Sequence, residues 1–355
     1  MNSDRFLTLE AGRFVAASLV MLFHFSDLVG AARGVFPLGW AFRAGHCGVE
    51  FFFVLSGFLI MSQHRGEHGA VAARRFVLRR FWRIYPPFLL VSLTILCVAM
   101  ALPLGRPPSQ PILETSRLIA DLALAPSTAP LLGVSWSLRH EVVFYAIFGT
   151  AILIGRHGLW LVAVWQALAA ALAFQIPQTG GEGLAPLVGV ANLGFGLGIV
   201  IALGVLPKAK PWIWLSCGAT ALVTLMALEW WMGRAIPVSE DLPFGAIPSP
   251  IVYSLAAAIL LQGLVSWERA GGRLPAPRVL ALLGGASYLL YLTHGLAGSA
   301  IMRLLPDWIP PNATLLALAV TAAGMSVAGH VWLEKPLMAM VWRRMTLRRS
   351  TPAFS

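Results

Sequence analysis

Apolar residues run along this chain in long unbroken blocks, separated by short segments that carry nearly all of its charge. Blocks of about 17 to 25 apolar residues can cross the hydrocarbon of a bilayer as helices. Lipid offers no partner to a bare backbone N–H or C=O. Only helices and closed barrels can therefore span it, and continuous runs select helices over period-two strands. Ten candidate helices follow, centred on residues 9–29, 48–63, 84–104, 136–154, 158–175, 186–205, 211–231, 249–266, 279–301 and 313–333. The second is short, and only Arg156 and His157 clearly separate the fourth from the fifth. The expectation is an all-α, polytopic membrane helix bundle of about ten transmembrane helices. It forms a single domain over residues 1–345, with a basic tail at 346–355.

Composition sharpens this picture. Of 355 residues, 58% are hydrophobic and 12% charged, against about 25% charged in an ordinary soluble domain. So few charges cannot cover a water-facing surface. A net charge of +11 would suit nucleic acid if it formed one basic face, but the cations are scattered between apolar runs. There they mark the cytoplasmic side, so membrane lipid rather than nucleic acid is the expected partner. With both termini cytoplasmic, 19 of the 26 Lys and Arg lie inside. Seven lie outside: Arg33, Arg43, Arg106, Arg117, Arg139, Arg234 and Arg303. Cys47, Cys97 and Cys217 sit in apolar surroundings at unrelated spacings, which points to neither a disulfide framework nor a zinc site. Asp4 and Glu10 precede the first run, where a cleaved leader would carry positive charge. Residues 112–124 fit a short amphipathic helix on the outer surface.

Six segments carry candidate chemistry. Arg13 and His24 bracket ten uncharged residues. Eleven helical steps separate them by about 16 Å and return them to within about 20° of one face. Both therefore look into one interior, one near the cytoplasmic mouth and one deep in the membrane. A central arginine costs about 3 kcal/mol to insert and normally faces a partner or water. On these two residues alone, snorkelling and a helix–helix contact explain the pair as well as chemistry does. In GHCGVEFFFVLSGFLI (45–60), Glu50 is an interfacial carboxylate by position, and close helix packing is the better reading of Ser56 and Gly57.

In RRFVLRRFWRIYPP (74–87), Arg75, Arg79 and Arg83 are four apart, one stripe on a helix with Arg80 beside it. An anchor on anionic lipid explains such a stripe. A clamp for a phosphorylated ligand, through bidentate guanidinium contacts, also explains it, and the two are compatible. SWSLRHEVVFYAIF (135–148) puts Glu141 and Tyr145 one turn apart. A carboxylate inside the membrane marks a functional site unless Arg139 neutralises it. GASYLLYLTHG (285–295) spaces Tyr288, Tyr291 and His294 at i, i+3 and i+6, and a lone His294 is more often a helix contact than a catalyst. WLEKPL (332–337) ends the last helix on Glu334, Lys335 and Pro336.

Taken in order, Arg13 with its spacer to His24, GVEFFFVLSGFLI, RRFWRIYP, SWSLRHEVVFY, LGGASYLLYLTH and EKP resemble the motifs of acyltransferase family 3. These are integral-membrane O-acyltransferases of bacteria. The six-part order spans most of the chain and is far more specific than any one motif. Glu10 stands where the family often has Asp, and Phe14 where Gly is common; neither alters the Arg13–His24 spacing. The resemblance is to the standalone form, without the extracytoplasmic hydrolase-like domain that some relatives append.

The resemblance implies a place in the bacterial cytoplasmic (inner) membrane. It also implies acyl transfer, usually of acetyl from acetyl-CoA, to a hydroxyl of an extracytoplasmic glycan such as a surface polysaccharide, lipopolysaccharide or lipid-linked sugar. Acetyl-CoA, or another acyl-CoA, would be a donor substrate, with no tightly bound cofactor and no metal. Its phosphates suit Arg13, Arg75, Arg79, Arg80 and Arg83, and its pantetheine arm has a reach comparable with the Arg13–His24 separation. His24 is then the natural general base, with a transient acyl-histidine as the alternative. Glu141 would orient or charge-stabilise the imidazole, Tyr145 would bind the acceptor or thioester oxygen, and Glu334 would join an ion pair near the cytoplasmic mouth. Glu10, Glu50, Ser56, Tyr288 and His294 are supporting candidates. Acceptor choice falls to the outer loops around 30–45, 105–134 and 233–248. The rival function is a transporter or flippase for lipid-linked sugars, with Arg, His and Glu along its path.

Overall fold

A computed structural model describes residues 6–101, 115–126, 132–173, 175, 183–233 and 249–347. Its helices are α1 Leu7–Arg33, α2 Gly48–His64, α3 Ala70–Ala101, α4 Thr115–Leu122, α5 Trp136–Ile154, α6 Gly158–Ala171, α7 Ala185–Val188, α8 Leu193–Leu203, α9 Pro211–Gly233, α10 Ser249–Arg269, α11 Pro277–Met302, α12 Pro311–Gly329 and α13 Lys335–Leu347. No strand occurs among the described residues, so the fold is the all-α polytopic bundle expected. Eight helical stretches among them are long and apolar enough to cross a membrane. Of the other two expected spans, α6 has only 14 residues, and α3 carries its apolar half after an arginine block.

Four boundaries differ from expectation, each for a local reason. α3 starts at Ala70 rather than near residue 84, because Ala73, Phe76, Ile84 and Phe88 recur on one face and are all buried. The packing stripe thus extends back through the arginines and makes them part of the spanning helix. The 186–205 run is broken at Gly189, whose backbone is extended (ψ 157°). Buried Asn192 fills the break, accepting from Nδ1 of His140 at 2.9 Å. α4 covers part of the expected amphipathic helix, and its Asp121 pairs with the fully buried Arg139. Arg139 thus finds a carboxylate partner on α4. Finally, WLEKPL does not end the last helix. His330–Glu334 forms a π-helical turn and α13 continues from Lys335. Pro336 follows this turn directly, as the second residue of α13.

Small residues set the closest packing. A Cβ on Gly57 of α2 would strike the Phe195 carbonyl of α8, and one on Gly198 would strike that of Val54. This small-residue seam is how membrane helices approach without a hydrophobic driving force, and it accounts for Gly57 as expected. Gly57→Val should lower stability by about 3 kcal/mol, the upper end of overpacking costs. Thermal unfolding in detergent reads this directly; a midpoint within a degree of wild type would show that the seam is slack.

Outward faces remain apolar: Trp160, Val164, Trp231, Leu316 and Val320 are each about two-thirds exposed, as lipid-facing side chains are. α9 is the most peripheral, burying only Gly218, Glu229 and Gly233. The side chains of Arg106, Arg117 and Arg234 lie outside the described residues. So do most of the loops 105–134 and 233–248 and the basic tail 346–355, apart from the backbone at its start.

Candidate active site

At one end of the bundle, α1, α2, α3, α11 and the π-turn enclose a vestibule of about 370 Å³. Glu10 and Arg13 enter from α1, Gln63 and His64 from α2, and Arg79, Arg80 and Arg83 from α3. Gly285 and Tyr288 come from α11, and His330 and Glu334 from the π-turn. Four guanidiniums thus face two carboxylates, leaving net positive charge suited to phosphate. Arg75 does not line it, because it sits one turn earlier on α3 and stays half-buried. Glu334 accepts from Nδ1 of His330 at 2.7 Å, a pairing that the π-turn makes possible and that π-bulges often serve at functional sites.

Arg13, Arg83 and Tyr288 also line a second, smaller cavity of about 60 Å³ that continues into the bundle. Ser56, Ser137, Glu141 and Tyr291 face it, among Phe52, Phe53, Leu55, Leu59, Ile84 and other apolar walls. Glu141 accepts a hydrogen bond from Ser56 (3.2 Å) and another from Tyr145. Ser56 is therefore more than a packing residue: it helps hold the carboxylate of the chamber. Tyr145 does not line the chamber. Its hydroxyl is committed to Glu141, and Arg80 lies over its ring at 5.4 Å. Pro86 and Pro87 remove two amide donors from α3, and the Tyr288 hydroxyl donates to the nearby Ile84 carbonyl at 3.0 Å. Tyr291 donates to the Val134 carbonyl (3.2 Å) and meets Ser137 at 2.7 Å.

His24 stands beyond this chamber, toward the opposite end. Its ring stacks on His294, 5.2 Å between centroids. His294 in turn meets the Tyr291 ring edge-on at 6.2 Å, so two ring contacts link the chamber wall to His24. The Nδ1 of His294 faces the Leu290 carbonyl at 3.1 Å and must therefore carry the proton. Its buried Nε2 has no hydrogen-bond partner among the described residues. No carboxylate of those residues hydrogen-bonds His24, so the triad arrangement expected for Glu141 does not form. Glu50 is buried (5%) rather than interfacial, with His46 and Glu229 nearby.

Sequence reading missed three groups. His330, Gln63 and His64 complete the vestibule, and only contact reveals them. Ser137 and Tyr291 lay inside the quoted segments without a role. The third group is a cluster at the His24 end, where His46 bonds Glu229 (3.0 Å) and Tyr253 donates to the same carboxylate (2.6 Å). Glu229 did carry a signal, being a lone carboxylate in an apolar run.

A bundle of apolar helices around a cation-lined vestibule, with Arg13 and His24 along one of them, is a multi-pass membrane protein with a polar interior. The chain belongs to acyltransferase family 3, whose acyltransferase domain matches residues 6–333. Among curated proteins it is similar to the exopolysaccharide production protein ExoZ of Rhizobium meliloti (strain 1021). The two are 27% identical over 341 residues, 93% of this chain and 97% of that protein. No solved structure matches it.

Proposed function

We propose that the protein lies in the bacterial cytoplasmic membrane with both termini inside, and transfers acetyl from cytoplasmic acetyl-CoA to a glycan hydroxyl on the other side. One observation carries this reading: the basic vestibule shares Arg13, Arg83 and Tyr288 with the chamber inside the bundle, and the far half of α1, the helix of Arg13, holds His24. A donor with phosphates at one end and a thioester at the other suits such a path. Arg13, Arg79, Arg80 and Arg83 hold the phosphates by charge-assisted hydrogen bonds, and the arm passes Tyr288 and Glu141. His24 removes the proton as the acceptor oxygen attacks the carbonyl carbon. The carbon–sulfur bond breaks, and the imidazolium returns its proton to the CoA thiolate, leaving an O-acetyl ester and CoA thiol. The likeness to a protein named for exopolysaccharide production supports a surface polysaccharide as the acceptor class.

Membrane vesicles containing the protein should move label from [14C]acetyl-CoA onto de-O-acetylated surface polysaccharide of the host, and vesicles without it should not. Acceptor crossing the membrane without acetyl-CoA would replace this reading by the flippase. On the donor side, Arg79→Gln with Arg83→Gln should raise the acetyl-CoA KM at least tenfold and flatten its dependence on salt, since fewer charges remain to be screened. An unchanged KM, with only altered insertion into the membrane, would reduce the stripe to a lipid anchor.

A further inference from the structure

α1 and α11 lie in close contact, and two glycines of α11 permit it. A Cβ on Gly284 would strike Glu10 at the vestibule, and one on Gly298 would strike the Phe25 ring. Between these two points, one turn before Gly298, sits the fully buried His294. Its ring lies within 24° of parallel to that of His24, at 5.2 Å between centroids. Phe25 and Tyr291 each meet it edge-on, at 6.1 and 6.2 Å. These two rings and the Leu290 carbonyl, 3.1 Å from Nδ1, fix the plane of His294. Its face then sets the plane of His24.

Two imidazoles this close repel each other if both are charged, and their surroundings decide which one stays neutral. Nδ1 of His294 donates to Leu290, while Nε2 is sealed from solvent with no hydrogen-bond partner among the described residues. A proton on Nε2 would create a buried cation with an unpaired N–H, a costly state. His294 therefore keeps that lone pair and remains a neutral ring. The contact with His24 is face to face, so it consumes neither nitrogen of His24. When His24 takes a proton, the new charge lies against an aromatic face, and such faces attract cations.

We infer that His294 is a positioning residue of the transfer: a neutral ring that holds the His24 imidazole in one plane and stabilises its protonated form during the attack. The inference rests on the proposed acetyl transfer with His24 as its base. It gives a role to a buried histidine that lines neither cavity. It also gives one to Gly298, which lets Phe25 close against α11 and so sets the spacing of the stack.

The test follows [14C]acetyl transfer to de-O-acetylated host surface polysaccharide by the full-length protein in vesicles. His294→Leu should lower kcat about tenfold, a mid-range effect for a cation on an aromatic face, with the KM for donor and acceptor within about twofold of wild type. His294→Phe restores a ring face and should keep kcat within about threefold of wild type. In a His24→Ala background His294→Leu should cost no further activity, because the residue acts through His24. Gly298→Ala forces Phe25 to move and should lower kcat about threefold or more with both imidazoles intact. Unchanged kcat in His294→Leu or, where that variant fails to fold, in Gly298→Ala would overturn the positioning role alone. So would equal losses in His294→Leu and His294→Phe, or a further loss in the His24→Ala background, the mark of a structural part. An inactive wild type would overturn the acetyl-transfer reading and this inference with it.

Discussion

Replacing His24 by alanine is expected to lower acetyl transfer by about 10²–10⁴-fold, the usual contribution of a general base, while acetyl-CoA binding stays near wild type. The separation follows from the geometry, because the donor phosphates are assigned to the vestibule and His24 lines neither cavity. His24 makes ring contacts with Phe23 and His294 and no hydrogen bond to a described residue, so its removal orphans no polar partner among them and the fold should persist. Labelled transfer together with donor binding by the same membranes checks both halves. Full transfer by the variant would remove His24 from the chemistry. Transfer and donor binding lost together would show that the histidine organises the fold instead.

Glu141→Leu should be the most damaging change inside the chamber. It would leave Arg13 and Arg83 facing the cavity without its negative charge, and deprive the Ser56 and Tyr145 hydroxyls of their acceptor. Removing one partner from a buried charge cluster costs about 3 kcal/mol or more, so both folded yield and turnover should fall. Glu141→Gln keeps an acceptor for the two hydroxyls and separates the effects. It should recover the thermal midpoint in detergent while transfer remains below one-tenth of wild type. Recovery of transfer along with stability would make Glu141 a structural strut with no electrostatic part in the reaction.

Much of the architecture is legible in the sequence. Long apolar runs admit only helices in lipid, and α1, α2, α5, α9, α10, α11 and α12 begin or end close to where those runs do. Boundaries failed where charge and helix coincide. An arginine block reads as a loop by hydropathy, yet Phe76 and Ile84 bury one face of it and make it helix. The site was legible as a set of elements rather than as pairings. The i, i+4 spacing brought Glu141 and Tyr145 together as expected, whereas the carboxylate expected for His24 went instead to Ser56 and the arginine-lined chamber.

By itself the sequence determined that the chain is a helical membrane protein, which family motifs it carries, and that Arg13 and His24 lie along one helix. Those properties depend on local periodicity and on the solvent, and both are written in consecutive residues. Only the tertiary structure decided which charges meet. Arg139 turns to Asp121, Glu334 to His330, Glu229 to His46, and Arg75 falls outside the vestibule that its neighbours line. In a low-dielectric bundle each buried charge must find a partner. Which partner it finds depends on helix packing between distant segments, and no spacing along the chain encodes that choice.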